Sequence, residues 1–264
     1  MLTLTNVGKT FNKGTVNEKA ALRGIDLHLN RGDFVTVIGG NGAGKSTMLN
    51  MIAGVHPLDS GTIVLDGHDI SRLSEHARAA YLGRVFQDPM RGTAADMQID
   101  ENLALAARRG KSRTLRWGIT KAERTRYVDE LAKLDLGLET RLSDKVGLLS
   151  GGQRQALTLL MATLQRPDLL LLDEHTAALD PKTAAKVLEL TEQIVSSEGL
   201  TTLMVTHNMH DAIRMGNRLI MMADGKIIYD VRGEEKAGLH RADLMRKFEE
   251  AAGEEFANDR MLLG

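Results

Sequence analysis

The stretch Gly39-Gly40-Asn41-Gly42-Ala43-Gly44-Lys45-Ser46 constrains this chain more than any other feature of its sequence. It fits G-x-x-x-x-G-K-S, in which glycines let backbone amides curl towards an anion. The flanks supply the context the pattern needs. Before it, Phe34-Val35-Thr36-Val37-Ile38 is nearly all apolar and β-rich, as for a strand covered on both faces. After it, Met48, Met51, Ile52 and Val55 recur at helical spacing, with Gly54 near the end. A helix starting there points favourable partial charge at an anion. A glycine-rich turn of no consequence is the bland alternative, and it requires neither the order nor the flanks. The reading is that Gly39–Thr47 hold nucleotide phosphates, with Lys45 as a point charge for the β- and γ-phosphates and the Ser46 hydroxyl on Mg²⁺.

The 264 residues suit one large domain, or one carrying a sizeable insertion. Hydrophobic residues at 42% and charged residues at 26% allow a packed core. With 34 basic and 35 acidic residues the formal net charge is −1, which argues against a strongly basic nucleic-acid binder. The absence of cysteine excludes disulfide scaffolds, thiolate-bound zinc, iron–sulfur clusters and thiol catalysis. Met1–Asn6 lacks the basic start and apolar stretch of a signal peptide, and no uncharged apolar run approaches bilayer length. The expectation is a cytosolic chain.

Ile25–Leu29 alternates apolar and polar, as in a strand with one wet face. Ile63–Gly67 and Val85-Phe86 read as further short strands, and residues from Asp100 to Gln165 show helix-compatible leucine spacings. Leu169–Leu172 has the length of a buried strand, Pro181–Ser197 reads as a helix, and Thr202–Thr206 as another strand. Asp224-Gly225 between Leu219–Met222 and Lys226–Tyr229 is a tight-hairpin signal. An amphipathic helix is expected around His240–Ala252.

Phosphate chemistry also needs a metal carboxylate and a group to activate water. The run Leu169–Leu172 ends in Asp173-Glu174. Asp173 stands where a buried strand emerges and suits Mg²⁺. Glu174, pointing differently, suits a general base. Solvated carboxylates at a strand end are the plain alternative, disfavoured by the phosphate loop on the same chain. Leu149-Ser150-Gly151-Gly152-Gln153 precedes another predicted helix. Ser150 and Gln153 fit a capping box, which needs neither glycine. Gly151 and Gly152 bare a second helix N-terminus, as if for a second anion, and two copies of the chain sharing each nucleotide would explain it.

With these two loops the sequence resembles the ATP-binding-cassette (ABC) ATPases, and specifically the nucleotide-binding subunit of a bacterial ABC transporter. Leu149–Gln153 matches the family's signature loop, and the likeness covers roughly residues 2 to 231. It implies an α/β fold: a RecA-like P-loop NTPase core, an antiparallel β subdomain, and a helical subdomain inserted at about 90–165. Residues 232–264 would form an amphipathic helical tail. The resemblance implies that Phe11 stacks on adenine, that Gln87 contacts Mg²⁺ and the attacking water, and that His207 contacts the γ-phosphate. Asp180, in Ala178-Leu179-Asp180, would belong to a loop at the dimer interface; it also suits an N-cap before Pro181. Ser150, Gly151, Gly152 and Gln153 of one copy would close on ATP held by the other. The family usually carries proline after the catalytic glutamate. Here His175 takes that place, which puts the stiffness of the segment to Asp180 in question; the side chain could titrate near neutrality, but a tolerated substitution is favoured over a switch.

The resemblance implies a Mg²⁺-dependent ATPase, paired with itself or a paralogous cassette, docked on separate transmembrane permease subunits at the cytoplasmic face of the membrane. Arg84–Thr93 with Glu101-Asn102-Leu103 is similar to ATPase subunits of amino-acid importers of the tryptophan/tyrosine type, which implies an extracellular substrate-binding protein. Efflux and lipoprotein-release systems use the same cassette arrangement. A nucleic-acid or ribosome function is disfavoured because there is neither a long inserted coiled coil nor a second cassette. A regulatory module without turnover is disfavoured by Glu174 and His207. A P-loop GTPase lacks its guanine signature, since Asn12-Lys13-Gly14-Thr15 does not fit N-K-x-D. Arg108–Arg126 holds eight basic residues with Trp117 among them, readable as a contact for anionic lipid or as a solvated loop.

Overall fold

The structure, a computed structural model, describes residues 1–111 and 118–252. The centre of the basic stretch, including Arg113, Arg116 and Trp117, lies outside the described residues, as does the tail beyond 252. The chain forms two compact units. The first opens with β1 (Leu2–Phe11), β2 (Lys19–Leu29), β3 (Phe34–Gly39), α1 (Lys45–Ala53), β4 (Ser60–Leu65), β5 (His68–Asp69) and α2 (Glu75–Arg78). The second unit, Ala79–Glu198, contains β6 (Leu82–Val85), α3 (Ile99–Ala107), α4 (Lys121–Ala132), α5 (Gly151–Thr163), β7 (Leu169–Asp173) and α6 (Pro181–Glu198). The chain then returns to the first unit with β8 (Thr202–Val205), α7 (Met209–Arg214), β9 (Arg218–Ala223), β10 (Lys226–Arg232), α8 (Gly233–Ala237) and α9 (Arg241–Ala252).

In the first unit, β3 pairs in parallel with β8 on one side and β9 on the other, and β10 adds antiparallel to β9. Every residue of β3 is buried, as its apolar run predicts. Its polar member, Thr36, donates its hydroxyl proton to the carbonyls of Ala212 (2.8 Å) or Arg218 (3.2 Å), so it leaves no unmet group. A separate antiparallel sheet runs β2-β1-β4-β5. In β2 Ile25, Leu27 and Leu29 are buried while Asp26 and His28 face solvent, the pattern of a one-sided sheet. Asp224 (φ 48°) and Gly225 (φ 71°) are both left-handed, the geometry of a type I′ hairpin. Asp66 (φ 53°) and Gly67 (φ 82°) do the same between β4 and β5, so the strand expected over Ile63–Gly67 ends at Leu65. On α9, Leu244 and Phe248 are buried with Ile38, Met209, Ala212 and Val231.

In the second unit β6 and β7 pair in parallel, from Leu82↔Leu169 to Val85↔Leu172. Leu169–Leu172 are wholly buried. Helices α3, α4 and α5 lie in the stretch expected to be helical, with two short 3-10 turns (Leu138–Thr140 and Val146–Leu148) between α4 and α5. Asn102 of α3 ties the chain before it, accepting from the Ala94 amide (2.8 Å) and donating to the carbonyls of Ala94 (3.1 Å) and Gln98 (2.9 Å).

Candidate functional site

The phosphate loop lies where β3 passes into α1. Gly44 caps α1 at φ 100°, and a Cβ there would stand 2.6 Å from the Ala21 carbonyl, so glycine is required by both conformation and space. The loop leans on the β9–β10 hairpin, with the Gly225 amide donating to the Ala43 carbonyl (3.1 Å). Lys45 is buried and its ammonium donates to the carbonyls of Gly39 (2.7 Å) and Gly40 (3.1 Å). The cation is thus curled inside the loop, on acceptors that a phosphate oxygen can replace. The first turn of α1 carries no acidic residue, which keeps that helix end attractive to anions. Ser46 is exposed and Thr47 half-buried in that turn.

Register places His207 beside this loop. Val37 pairs with Val205, and the Thr206 amide donates to the Val37 carbonyl (3.1 Å). Two residues further along adjacent parallel strands stand Gly39 and His207, at the carboxyl edge where α/β sheets bind ligands. Asn208 then caps α7, accepting from the His210 (2.9 Å) and Asp211 (3.3 Å) amides. Phe11, at the end of β1, is half-buried, with its ring edge-on to His56 (5.3 Å between centroids) and the Lys9 ammonium 5.7 Å from its centre.

The same counting applies inside the second unit. Leu172 pairs with Val85, so Glu174 and Gln87 both stand two residues beyond the paired ends of β7 and β6. Gln87 is exposed. Asp173, the last residue of β7, lies 3.5 Å from the Arg84 guanidinium. Glu174 adopts φ 44°, a left-handed conformation that costs a Cβ-bearing residue about 1 kcal/mol or more and concentrates at functional sites. Its carbonyl accepts from the Ala177 amide (3.0 Å), which turns the chain sharply after the strand. Among the described residues no three His, Cys, Asp or Glu side chains form a metal cage. Within this unit the Asp173 carboxylate and the Gln87 amide are oxygen donors of the kind that fit Mg²⁺ held jointly with substrate phosphates.

The second glycine-bearing helix end is also in this unit. Ser150 caps α5, accepting from the Gln153 amide (3.3 Å), and its own amide donates to Gln153 Oε1 (3.2 Å). The capping box read from sequence is therefore formed, and α5 has no acidic residue in its first turn. Gly152 has a further reason to be glycine: a Cβ there would meet Thr183 Cγ2 of α6 at 2.1 Å. Asp180 caps α6 by accepting from the Thr183 amide (3.1 Å). Hydrogen bonds from Thr183 hold the Asp180 carboxyl below its usual range. The signature loop and Asp180 are thus brought together by α5–α6 packing.

His175 is built into the packing and is no switch near neutrality. It is buried, with Nε2 3.0 Å from the Thr191 hydroxyl. That hydroxyl donates to the Val187 carbonyl (2.8 Å), so Nε2 must carry a proton and donate. Burial pushes the imidazole down to about 4. It does not titrate near neutrality, because nothing in its pocket repays desolvation of an imidazolium.

Two residues escaped sequence reasoning. Arg78, 1% exposed, donates to the carbonyls of Met51 (2.6 Å) and Ile52 (2.9 Å) at the far end of α1, and to Leu73 (3.0 Å) and Ser71 (3.0 Å). Burial lowers its pKa. Nothing in the local sequence signals this role. Lys19 pairs with Phe11 across the β1–β2 ladder, and only knowledge of that register reveals it.

A glycine-rich loop at the carboxyl edge of parallel strands is the layout of P-loop nucleotide-binding proteins. The family model described as ABC transporter matches residues 22–177, more than half the chain, and the chain belongs to that family. The tyrosine transport ATP-binding protein of Clostridioides difficile is 43% identical over 252 residues, covering 95% of this chain and 100% of that protein. A lipoprotein-releasing system ATP-binding protein of Caulobacter vibrioides is 37% identical, covering 86% of this chain and 94% of that one. Among solved structures, a dimeric post-hydrolysis state of an ATP-binding cassette bound to ADP and Pi has 30% identity and a TM-score of 0.75, covering 88% of this chain and 98% of that chain. The fold is that of the ABC ATPase cassettes, and the chain is an ABC ATP-binding subunit.

Proposed function

We propose that this chain is the Mg²⁺-dependent ATPase of a bacterial amino-acid importer, working as a pair of copies beneath separate permease subunits on the cytoplasmic side of the membrane. The observation that carries the ATPase reading is Glu174: a carboxylate held at φ 44° where β7 ends, level with Gln87 on the neighbouring strand. Gly39–Thr47 bind the phosphates and Phe11 stacks on the base. Ser46, Gln87 and Asp173 would hold Mg²⁺, which supplies positive charge to the β- and γ-phosphate oxygens. Glu174 takes a proton from the attacking water, whose oxygen bonds to the γ-phosphorus as the bond to the bridging oxygen breaks. His207 donates a hydrogen bond to the transferring group. Ser150, Gly151 and Gly152 of the second copy close over the same nucleotide, with Gln153 completing their cap and Asp180 at the copy–copy interface. ATP that bridges two copies favours only the closed pair, which is how hydrolysis would move a permease.

Among the described residues no helix is long and apolar enough to cross a membrane, which supports a separate permease. Full-length 43% identity to a tyrosine transport subunit supports an aromatic amino acid as cargo, delivered by an extracellular binding protein. The likeness to a lipoprotein-releasing subunit is lower and supports export less. No role on nucleic acid is proposed.

Glu174→Gln tests the reading. It should bind ATP, pair in its presence, and hydrolyse roughly 10²–10⁴-fold more slowly than the wild type. Wild-type turnover in this variant would remove Glu174 as the base. A variant that stays monomeric with saturating ATP and magnesium, alone and with its permease, would refute shared nucleotide binding. Purifying the permease with its binding protein and identifying the bound solute tests the cargo.

A further inference from the structure

Lys19 and Phe11 face each other across the β1–β2 ladder, and directly opposed residues project from the same face of a sheet. The Lys19 ammonium reaches over the phosphate loop, to 3.0 Å from the point where a Cβ on Gly42 would stand. Lys19 is exposed and Phe11 half-buried. Neighbouring charges are committed elsewhere. Lys9 is held by Asp59 (2.8 Å) and the Pro57 carbonyl (2.9 Å), Lys45 by two loop carbonyls, and the Glu18 carboxylate by the Gly14 amide (2.6 Å). Among the described residues the Lys19 ammonium has no ion pair or hydrogen-bond partner. A bare cation over a helix N-terminus meets that helix's positive partial charge, an arrangement that is favourable only with an anion between them.

We infer that Lys19 is a phosphate-binding residue, its ammonium closing the open side of the loop above Gly42 while Phe11 beside it receives the base. The inference rests on the nucleotide-binding reading and adds to it a cation that the loop motif does not contain. Its contribution must grow with the negative charge of the ligand. Adenosine offers it nothing, AMP little, ADP and ATP the most. Arginine at the position retains the charge, and methionine retains the stem without it.

Adenosine, AMP, ADP and ATP are titrated calorimetrically into the full chain and its Lys19→Met, Lys19→Arg and Lys13→Met variants, at low and at high salt. Lys19→Met should weaken ADP and ATP by roughly threefold to tenfold, leave adenosine unchanged, and show a flatter salt dependence than the wild type. Lys19→Arg should restore most of the loss, and Lys13→Met, in the exposed connection that precedes β2, should match the wild type. Equal ADP affinity for Lys19→Met and wild type would overturn the inference while leaving the phosphate loop intact. So would an equal loss for adenosine, which would mark Lys19 as structural. A wild type that binds no nucleotide would instead refute the underlying reading.

Discussion

Arg78→Met puts a number on how the phosphate-loop helix is anchored. The last carbonyls of any helix lack intrahelical partners. In α1 two of them, Met51 and Ile52, receive the Arg78 guanidinium, which also bonds Leu73 and Ser71 and sits at the negative end of the helix dipole. Methionine preserves the apolar stem and deletes all four bonds. The folded state recovers the cost of burying a guanidinium, visible in its lowered pKa, but the Ile52, Leu73 and Ser71 carbonyls around a side chain 1% exposed lose this donor, while Met51 keeps the Gly54 amide (3.2 Å). Each buried carbonyl left without a donor costs about 1–3 kcal/mol, so the three together, less the guanidinium desolvation recovered, amount to about 3–5 kcal/mol. At 1.4 kcal/mol per tenfold, protection of the α1 amides against hydrogen exchange should fall by about 10²–10³-fold. The measurement is peptide-resolved hydrogen–deuterium exchange over residues 45–55, with Arg78→Lys expected in between because an ammonium has only three protons to donate. ADP affinity should fall in parallel, since α1 presents the loop. Protection in Arg78→Met within about threefold of wild type would refute the anchoring argument, because it would leave less than about 1 kcal/mol for four hydrogen bonds.

Gly152→Ala should lower stability by about 1–3 kcal/mol through overpacking against Thr183, and Thr183→Ser, which removes the methyl in question, should restore most of it in the double variant; a Gly152→Ala protein as stable as wild type by urea titration would refute the packing account. For His175 the sign of the pH dependence is fixed by burial. Its folded pKa of about 4 lies below the ordinary 6.5, so between those values the unfolded chain binds a proton that the folded chain does not. Stability therefore rises with pH through that window, is complete above about 6.5, and loses about 3 kcal/mol as pH falls towards 4. His175→Gln should flatten that slope in urea titrations at stepped pH, and an unchanged slope would refute it.

What the sequence revealed follows from how local each determinant is. The phosphate loop, buried β3 and β7, and the Asp224-Gly225 hairpin rest on contiguous patterns, and all are present. The Asp66-Gly67 turn carried the same signal as that hairpin but was absorbed into a strand, because Ile63–Leu65 before it is apolar and β5 after it is only two residues long. β2 begins at Lys19, six residues before its alternation does, and is fixed there by pairing with β1 rather than by pattern. Arg78 and Lys19 act across distances in sequence that no periodicity encodes. The left-handed conformation of Glu174 was equally hidden, since glutamate carries none of the compositional bias by which glycine or asparagine announces it.

The missing proline after Glu174 shows how a local departure can be absorbed by packing. Proline would restrict φ at position 175 and so stiffen the chain from the base to Asp180. Histidine leaves φ free, but its ring is buried and donates to Thr191, which in turn donates into the backbone of α6. At the other end of the segment Asp180 caps the same helix. The segment is therefore fastened to α6 at both ends, by a side-chain hydrogen bond in one place and a cap in the other. Between them the Leu179 amide bonds the Thr176 carbonyl (3.1 Å) and the Ala177 amide bonds Glu174. The ordering that proline would supply through a covalent ring is here supplied through a buried neutral imidazole. It follows that the rigidity of the left-handed Glu174 depends on α6 staying folded, and that helix also carries Thr183 against Gly152. One helix thus holds in place both the candidate base and the loop proposed to act on the neighbouring copy's nucleotide.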